Sequence, residues 1–475
     1  LSRGLGDVYK RQAHPHTGIV QPVIVIGGGL AGPEAAFQAA RQGAAVHLYE
    51  MRPQVSTPAH RTAALGELVC SNSLKSETPY TAPWLLKQEL RRAGSLLLRA
   101  ADAAAVPGGQ ALTVDRLGFS AGIEQGLRAQ TGITVMRAEV RQLPPQCGVV
   151  LASGPLTSGP LAADLERVAG GGSLYFYDAI SPIVDADSID SSRVFAASRY
   201  GKGGDDYLNC PLTREEYDTF CAALRGAASY PLHSFEQACF FEACLPLEEL
   251  ARRGPETLRF GPMKPVGLPD PRTGRLPHAV VQLRRENLRA DSYNLVGFQN
   301  HLRFADQARV LRLIPGLERA RFLRFGQVHR NTYVDAPRLL GAGLEVRTRP
   351  GLFIAGQLCG TEGYVEAIAT GLLAGVAAAR LQRGLPFLPP PRDSALGSLV
   401  HYISAAPGRP YVPANMTFDL LPPAPTQLRR DKAERHRLQC ARALDAFTAW
   451  WREHAPPGAA PDPEPVTMPV PALDF

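Results

Sequence analysis

A Rossmann-like α/β domain interrupted by an inserted α/β domain is the fold class this sequence predicts. Three observations predict it. The stretch QPVIVIGGGLAGPEAAFQAARQGAAVHLYEMRP (21–53) reads as strand, glycine turn, helix, strand. A strand, glycine-rich turn and small-residue helix recur far downstream in PGLFIAGQLCGTEGYVEAIATGLLAGVAAARL (350–381). Between them, from about Arg199 to Phe325, the chain turns arginine- and aromatic-rich, with turns at GKGGDD, GLPDPRTG and LIPG.

Each element has a local reason. Val23 to Ile26 is wholly apolar, as in a strand covered on both faces. The helix expected from Leu30 to Gln42 is alanine-rich, carries Pro33 in its first turn and stops at Gly43. A second strand, Ala45 to Tyr49, ends in Glu50. Gly27-x-Gly29-x-x-Gly32 has dinucleotide spacing: glycines let the backbone approach a pyrophosphate, the helix start attracts its charge, and Glu50 can accept from a ribose. One helix is expected at 83–102, and ITVMRAEV (133–140) and GVVLASGPL (148–156) are expected as strands of the same sheet. A late return to the sheet, with a second helix start aimed at the ligand, is the habit of two-dinucleotide-fold flavoproteins. That favours FAD over NAD as the tightly held cofactor. Its expected contacts are Gly27, Gly28, Gly29, Leu30, Ala31, Gly32, Glu50 and Arg52, then Gly356, Gln357, Gly360, Gly363 and Tyr364.

Residues 1–18 lack a secretory signal's apolar region and any helix or strand period, and read as a disordered or artefactual extension. The expected division is then a nucleotide-binding domain over 19–198 and 326–425, an inserted domain over 199–325, and a C-terminal helix with a loose tail over 426–475. Within that last part a charged helix is expected at 426–454, with Trp450 and Trp451 as packing anchors.

Composition narrows the function classes. Hydrophobic residues at 45% and charged residues at 20% describe a globular chain with a core. No run of eighteen apolar residues occurs, so no membrane span is expected. Eight scattered cysteines with no CxxC and no Cys/His cluster support neither a disulfide scaffold nor a metal site, and a reducing cytoplasm is the default. The net charge is +7, and its location matters more than its size. Between Arg284 and Arg330 ten arginines face four acids (Glu286, Asp291, Asp306, Glu318), leaving an excess of six positive charges in one short segment. Such a field suits a polyanion.

One thiol is out of place. Cys70 sits among small polar residues in LVCSNSLKSE (68–77), whereas structural cysteines prefer apolar surroundings. HRTAALGELVCSNSLKS, which contains this thiol, with GGGLAGPEAA, SGPLTS, LYFYDAISPIVDADSID, SRYGKG, YLNCPLTREEY, FFEACLPLEELARRGPETLRFGPMKPVGL, VVQLRREN, LIPGLE, HRNTY and GTEGYVEA, resembles the TrmFO family, GidA-related flavoproteins, from about residue 21 to 425. The resemblance implies a folate- and FAD-dependent tRNA (uracil-5-)-methyltransferase acting on uridine 54 of the T loop. It implies carbon from 5,10-methylenetetrahydrofolate and NADPH or NADH as reductant. Two cysteines match the family's functional pair, Cys70 in LVCSNS and Cys244 in FEACLP. Cys244 is expected as the nucleophile toward the pyrimidine and Cys70 beside the flavin, with the reverse division open. His301 falls where the family has a histidine stacked on the folate pterin. Arg284, Arg285, His329 and Arg330 are expected on the substrate side, and the arginine block, interleaved with Tyr293, Phe298 and Phe304, is expected to face tRNA. Cys359 is given no role.

Two rivals stand beside this. Cys239-x-x-x-x-Cys244 has the spacing of a flavin-linked thiol-disulfide oxidoreductase, although such pairs follow closely on the first glycine motif. A non-catalytic tRNA-binding flavoprotein is the other. The sequence leaves the oligomeric state open.

Overall fold

The computed structural model describes residues 21–170, 173–230, 245–405, 411–423 and 431–457, with the backbone alone at 173–180 and 328–332. The terminal extension, the last residues of the tail, Cys239 and Cys244 lie outside the described residues.

The first sheet is parallel, in the order Leu352–Ile354, Val149–Leu151, Val23–Ile26, Val46–Glu50, Ile133–Arg137. Its central strand, Val23–Ile26, is wholly buried, as a continuous apolar run requires. The strand from the second glycine segment pairs with Val149–Leu151, so the distant ends of the chain share one sheet. Above it the helix Ala31–Arg41 packs on the helix Tyr364–Gln382. That contact has no room for side chains at Gly371 and Gly375, where a Cβ would run into the backbone of Ala31 and Ala35. The helix Tyr364–Gln382 is long and apolar enough to cross a membrane by composition, but 83% of its apolar window is buried inside this fold.

The expected helix at 83–102 is two helices, Ala82–Arg92 and Leu96–Ala103. Gly94 turns the chain at φ +68°, and the Ser95 side chain caps the second helix by accepting from Leu98 N–H at 3.2 Å. The C-terminal helix runs Lys432–His454 with Asp431 as its cap, and Trp450 and Trp451 are buried in the first domain's core.

The second sheet is antiparallel, in the order Phe195–Ala196, Tyr207–Leu212, Ala279–Arg285, Ser292–Leu295, Ile183–Asp185, Phe322–Arg324. Its first strand lies ahead of Arg199, where the composition changes. It has a core of its own, with Val184, Cys210, Phe220, Leu283, Phe298 and Val310 at its centre. A two-stranded antiparallel ribbon, Ser173–Ile180 with Gln327–Val334, carries the chain into this insert and back.

Candidate active site

A cavity of about 480 Å³ lies at the carboxyl ends of the parallel strands, where open α/β sheets bind ligands. The first glycine turn forms one wall, with Gly27, Gly28, Gly29, Leu30 and Ala31 on it. Gly29 has nothing within 4 Å of where a Cβ would stand, so its backbone faces open space, while a Cβ on Gly32 would strike the carbonyl of Gly27. The third glycine thus serves helix–strand packing, and the second leaves the backbone open to the cavity.

Glu50 is buried and ties this wall together. Gly28 N–H donates to its Oε2 at 2.7 Å, and Arg52 donates to its Oε1 through the backbone N–H (2.9 Å) and Nε (2.8 Å). Burial alone would raise the Glu50 carboxyl; the Arg52 bonds and charge and the Gly28 amide outweigh it and hold it below the usual range. Arg52 reaches on to Glu67 at 3.0 Å. Glu67 in turn accepts from Arg61 N–H (2.8 Å), Thr62 N–H (3.1 Å) and Thr62 Oγ1 (2.8 Å), organising the segment 52–67. His60 lines the cavity from this segment, and burial, with Arg52 next, depresses its ring to about 4.

The opposite wall comes from the second glycine segment. Gly356, Gln357, Gly363 and Tyr364 line the cavity, and Gly360 is buried behind them. Gly363, at φ +121°, delivers the chain into the helix that starts at Tyr364. The Tyr364 hydroxyl is buried and accepts from Cys70 N–H (2.9 Å) and Ser71 N–H (3.0 Å), and burial lifts it above the usual phenol range. Cys70 is half-buried on the same cavity.

Positive charge gathers behind this thiol. Arg116 pairs with Glu286 of the insert and also donates to the carbonyls of Leu68 and, at 3.4 Å, Cys70. Arg284 is buried, lines the cavity and donates to Asn72 Oδ1 (2.9 Å) and Ser71 Oγ (2.8 Å). Asn72 Nδ2 donates to Val114 O (3.1 Å) and Arg285 O (2.9 Å). Asn72 and Arg116 therefore fasten the Cys70 loop to the insert. A thiol beside guanidiniums is in the surroundings where thiols act as nucleophiles.

Among the described residues the cavity wall reaches Gln299 but not His301. His301 is 5% exposed; its N–H donates to Glu248 Oε1 at 2.8 Å and its Nδ1 lies 2.5 Å from the same oxygen. Arg285 is half-buried at the end of its strand. His329 and Arg330 occupy the ribbon opposite Asp178 and Tyr177, their side chains outside the described residues, and Cys244 lies outside them altogether. The arginine block does not form one face. Arg284 and Arg324 turn inward, Arg309 pairs with Asp306 and Arg321 with Asp185. Of the interleaved aromatics, Tyr293 and Phe298 are buried and Phe304 is exposed. Cys359 is buried, which pushes its thiol to about 12, as suits a packing residue.

The residues fit a dinucleotide such as FAD. Besides the open face of Gly29 and the Glu50 carboxylate, Ser158 Oγ is buried in the cavity wall with no partner among the described residues.

The family model described as glucose inhibited division protein A, GIDA, matches residues 22–386. The methylenetetrahydrofolate–tRNA-(uracil-5-)-methyltransferase TrmFO of Solibacter usitatus is 61% identical over 435 residues, covering 90% of this chain and 98% of that protein. Its namesake in Koribacter versatilis is 57% identical over 430 residues, covering 90% and 97%. This chain belongs to the TrmFO family. Aquifex aeolicus GidA, in its form I crystal, shares the fold at a TM-score of 0.65 and 19% identity, covering 91% of this chain and 78% of that one. In TrmFO terms, sequence reasoning missed Glu67, Asn72 and Arg116. Glu67 and Asn72 lie inside the stretches that carry the family likeness, which is the signal that could have found them.

Proposed function

We propose that this chain methylates carbon 5 of a tRNA uridine, position 54 in the T loop, with the carbon drawn from 5,10-methylenetetrahydrofolate. The geometric observation that carries the reading is a cysteine in a polar loop opening onto the cofactor-shaped cavity beside Tyr364. The near-full-length identity to proteins named for this reaction supports it.

FAD, when bound, supplies the reducing equivalents and the one-carbon transfer chemistry, with NADPH or NADH as its reductant. The glycine turn and the start of the helix Ala31–Arg41 hold the pyrophosphate, and Glu50, fixed by Arg52, accepts from the ribose. The Cys244 thiolate adds to carbon 6 of the uracil, which makes carbon 5 a nucleophile toward the one-carbon unit. Cys70 assists removal of the carbon 5 proton, which releases the one-carbon carrier and leaves an exocyclic methylene on carbon 5; hydride addition to that methylene forms the methyl group and expels the Cys244 thiolate from carbon 6. The two cysteines exchanging these tasks is the variant to test. Arg284, Arg285, His301, His329 and Arg330 serve the folate and RNA side. Because its substrates are tRNA and a folate, the enzyme works in the cytoplasm.

The test incubates the purified yellow protein with unmodified tRNA, methylenetetrahydrofolate labelled in its one-carbon unit, and NAD(P)H. Label in 5-methyluridine is the expected result. Flavin turnover with unlabelled RNA and a reversible Cys239–Cys244 disulfide would replace this reading with a thiol-disulfide oxidoreductase. tRNA binding with neither would leave a non-catalytic RNA-binding flavoprotein.

A further inference from the structure

Three phenylalanine rings form a column on the surface of the insert. Phe304 opens the helix Phe304–Leu311, and Phe322 and Phe325 come from the sheet's edge strand and the residue after it. Phe304 and Phe325 stack at 5.2 Å and 18°, and Phe322 and Phe325 at 5.1 Å and 24°. Tyr230 meets Phe304 edge-on at 5.8 Å at one end, and the Arg312 guanidinium lies 5.9 Å from the Phe322 centroid at the other. Phe322 packs against the insert's core, but the column runs outward from it to Phe304 and Tyr230, which are 39% and 47% exposed. A stack of rings with one end open to water calls for an explanation.

The surroundings say what they suit. Arg303, next to Phe304, is exposed, as is Arg312; Arg61, also exposed, reaches across from the first domain to donate to Leu323 O at 3.5 Å. Flat π faces among guanidiniums are how proteins take unstacked nucleobases and the phosphates between them. A second copy of this chain would bring the same positive groups together and be repelled. The column also adjoins the reactive loop. Arg324, between Phe322 and Phe325, is buried at 8% exposure, within electrostatic reach of Cys70 and Tyr364, and Tyr230 N–H donates to His301 O at 3.0 Å.

We propose that Phe304, Phe325 and Phe322, ended by Tyr230 and Arg312, are a stacking platform for unpaired bases of the RNA substrate beside the reacting uridine. This rests on the tRNA reading above and deepens it. Phe304→Leu keeps apolar bulk and removes the π face; it should weaken tRNA binding about tenfold, with flavin content and NAD(P)H-driven flavin reduction unchanged. Phe304→Trp should bind within about twofold of wild type, since stacking tolerates any aromatic ring. The slope of log Kd against log salt should be unchanged in Phe304→Leu and shallower by about one in Arg303→Gln. With the wild-type protein, tRNA carrying 5-iodouridine in its T loop should photo-cross-link to the Tyr230, Phe304 or Phe325 peptides, a readout that holds even if a variant fails to fold.

Phe304→Leu with wild-type affinity, equal losses in the Leu and Trp variants, a changed sedimentation coefficient with unchanged tRNA affinity, or cross-links confined to other peptides would each overturn the proposal. Wild-type protein that neither binds nor methylates tRNA would instead defeat the reading on which it rests.

Discussion

Cys70 and Asn72 lie two residues apart and carry separable burdens. Cys70 faces the cavity, so Cys70→Ala should cut 5-methyluridine formation by at least about a hundredfold, the order contributed by a general acid–base group. Flavin absorbance and tRNA retention should stay as in wild type; methylation near the wild-type rate would remove Cys70 from the chemistry. Asn72 is spent on other parts of the protein, through Val114 O, Arg285 O and Arg284 Nε. Asn72→Ala strands those partners and should cost about 1–3 kcal/mol by thermal unfolding, the penalty for buried polar groups left unmatched. Because it also removes one of the ties between the Cys70 loop and the insert, single-turnover methylation should slow by about tenfold or more while KM for tRNA stays within a few-fold. A fall in stability with an unchanged single-turnover rate would make Asn72 a purely architectural residue.

Among the elements, the segment 52–67 carries a group that couples it to pH. Glu67 gathers its backbone, and His60 rides on it against the cavity. Burial, then Arg52, lowers the His60 ring in the folded protein from 6.5 to about 4. Between those values the unfolded segment takes up a proton that the folded one refuses. The stability contributed by the neutral ring is therefore present above pH 6.5 and lost as pH falls toward 4. Flavin release, followed by its fluorescence, should rise across that window, and His60→Gln should flatten the rise; an unchanged profile would show that His60 does not govern the segment. None of this was legible in the sequence, because a loop held by one carboxylate has no period. The helix Ala31–Arg41 was legible, since its alanines, Pro33 and Gly43 are local signals. The break at Gly94–Ser95 was not, because apolar spacing continues across it and only the turn geometry interrupts the pattern.

For the whole molecule, the same division between local and distant information explains what the sequence disclosed of the site. The glycine turn and Glu50 fall within one strand–helix–strand unit, so their spacing announces them. Arg116 with Glu286, and Asn72 with Arg285, join positions far apart in the chain, and only the topology makes them neighbours. Net charge misled in the other direction: ten arginines in one segment sum to a strong field, yet two of them, Arg284 and Arg324, are spent indoors. What held the reading together was the family likeness, which carries long-range information that composition cannot.

The paired strands Ser173–Ile180 and Gln327–Val334 have a consequence for how such a protein can be cut. Ile180 stands opposite Gln327, so the insert leaves and rejoins its host at a single seam one hairpin wide. Replacing residues 181–326 by a short β-turn should yield a yellow protein that keeps flavin but has lost RNA methylation, and whose ends at the seam still pair. A colourless, aggregated product would mean instead that host and guest have become one folding unit, no longer separable by the scissors that topology offers.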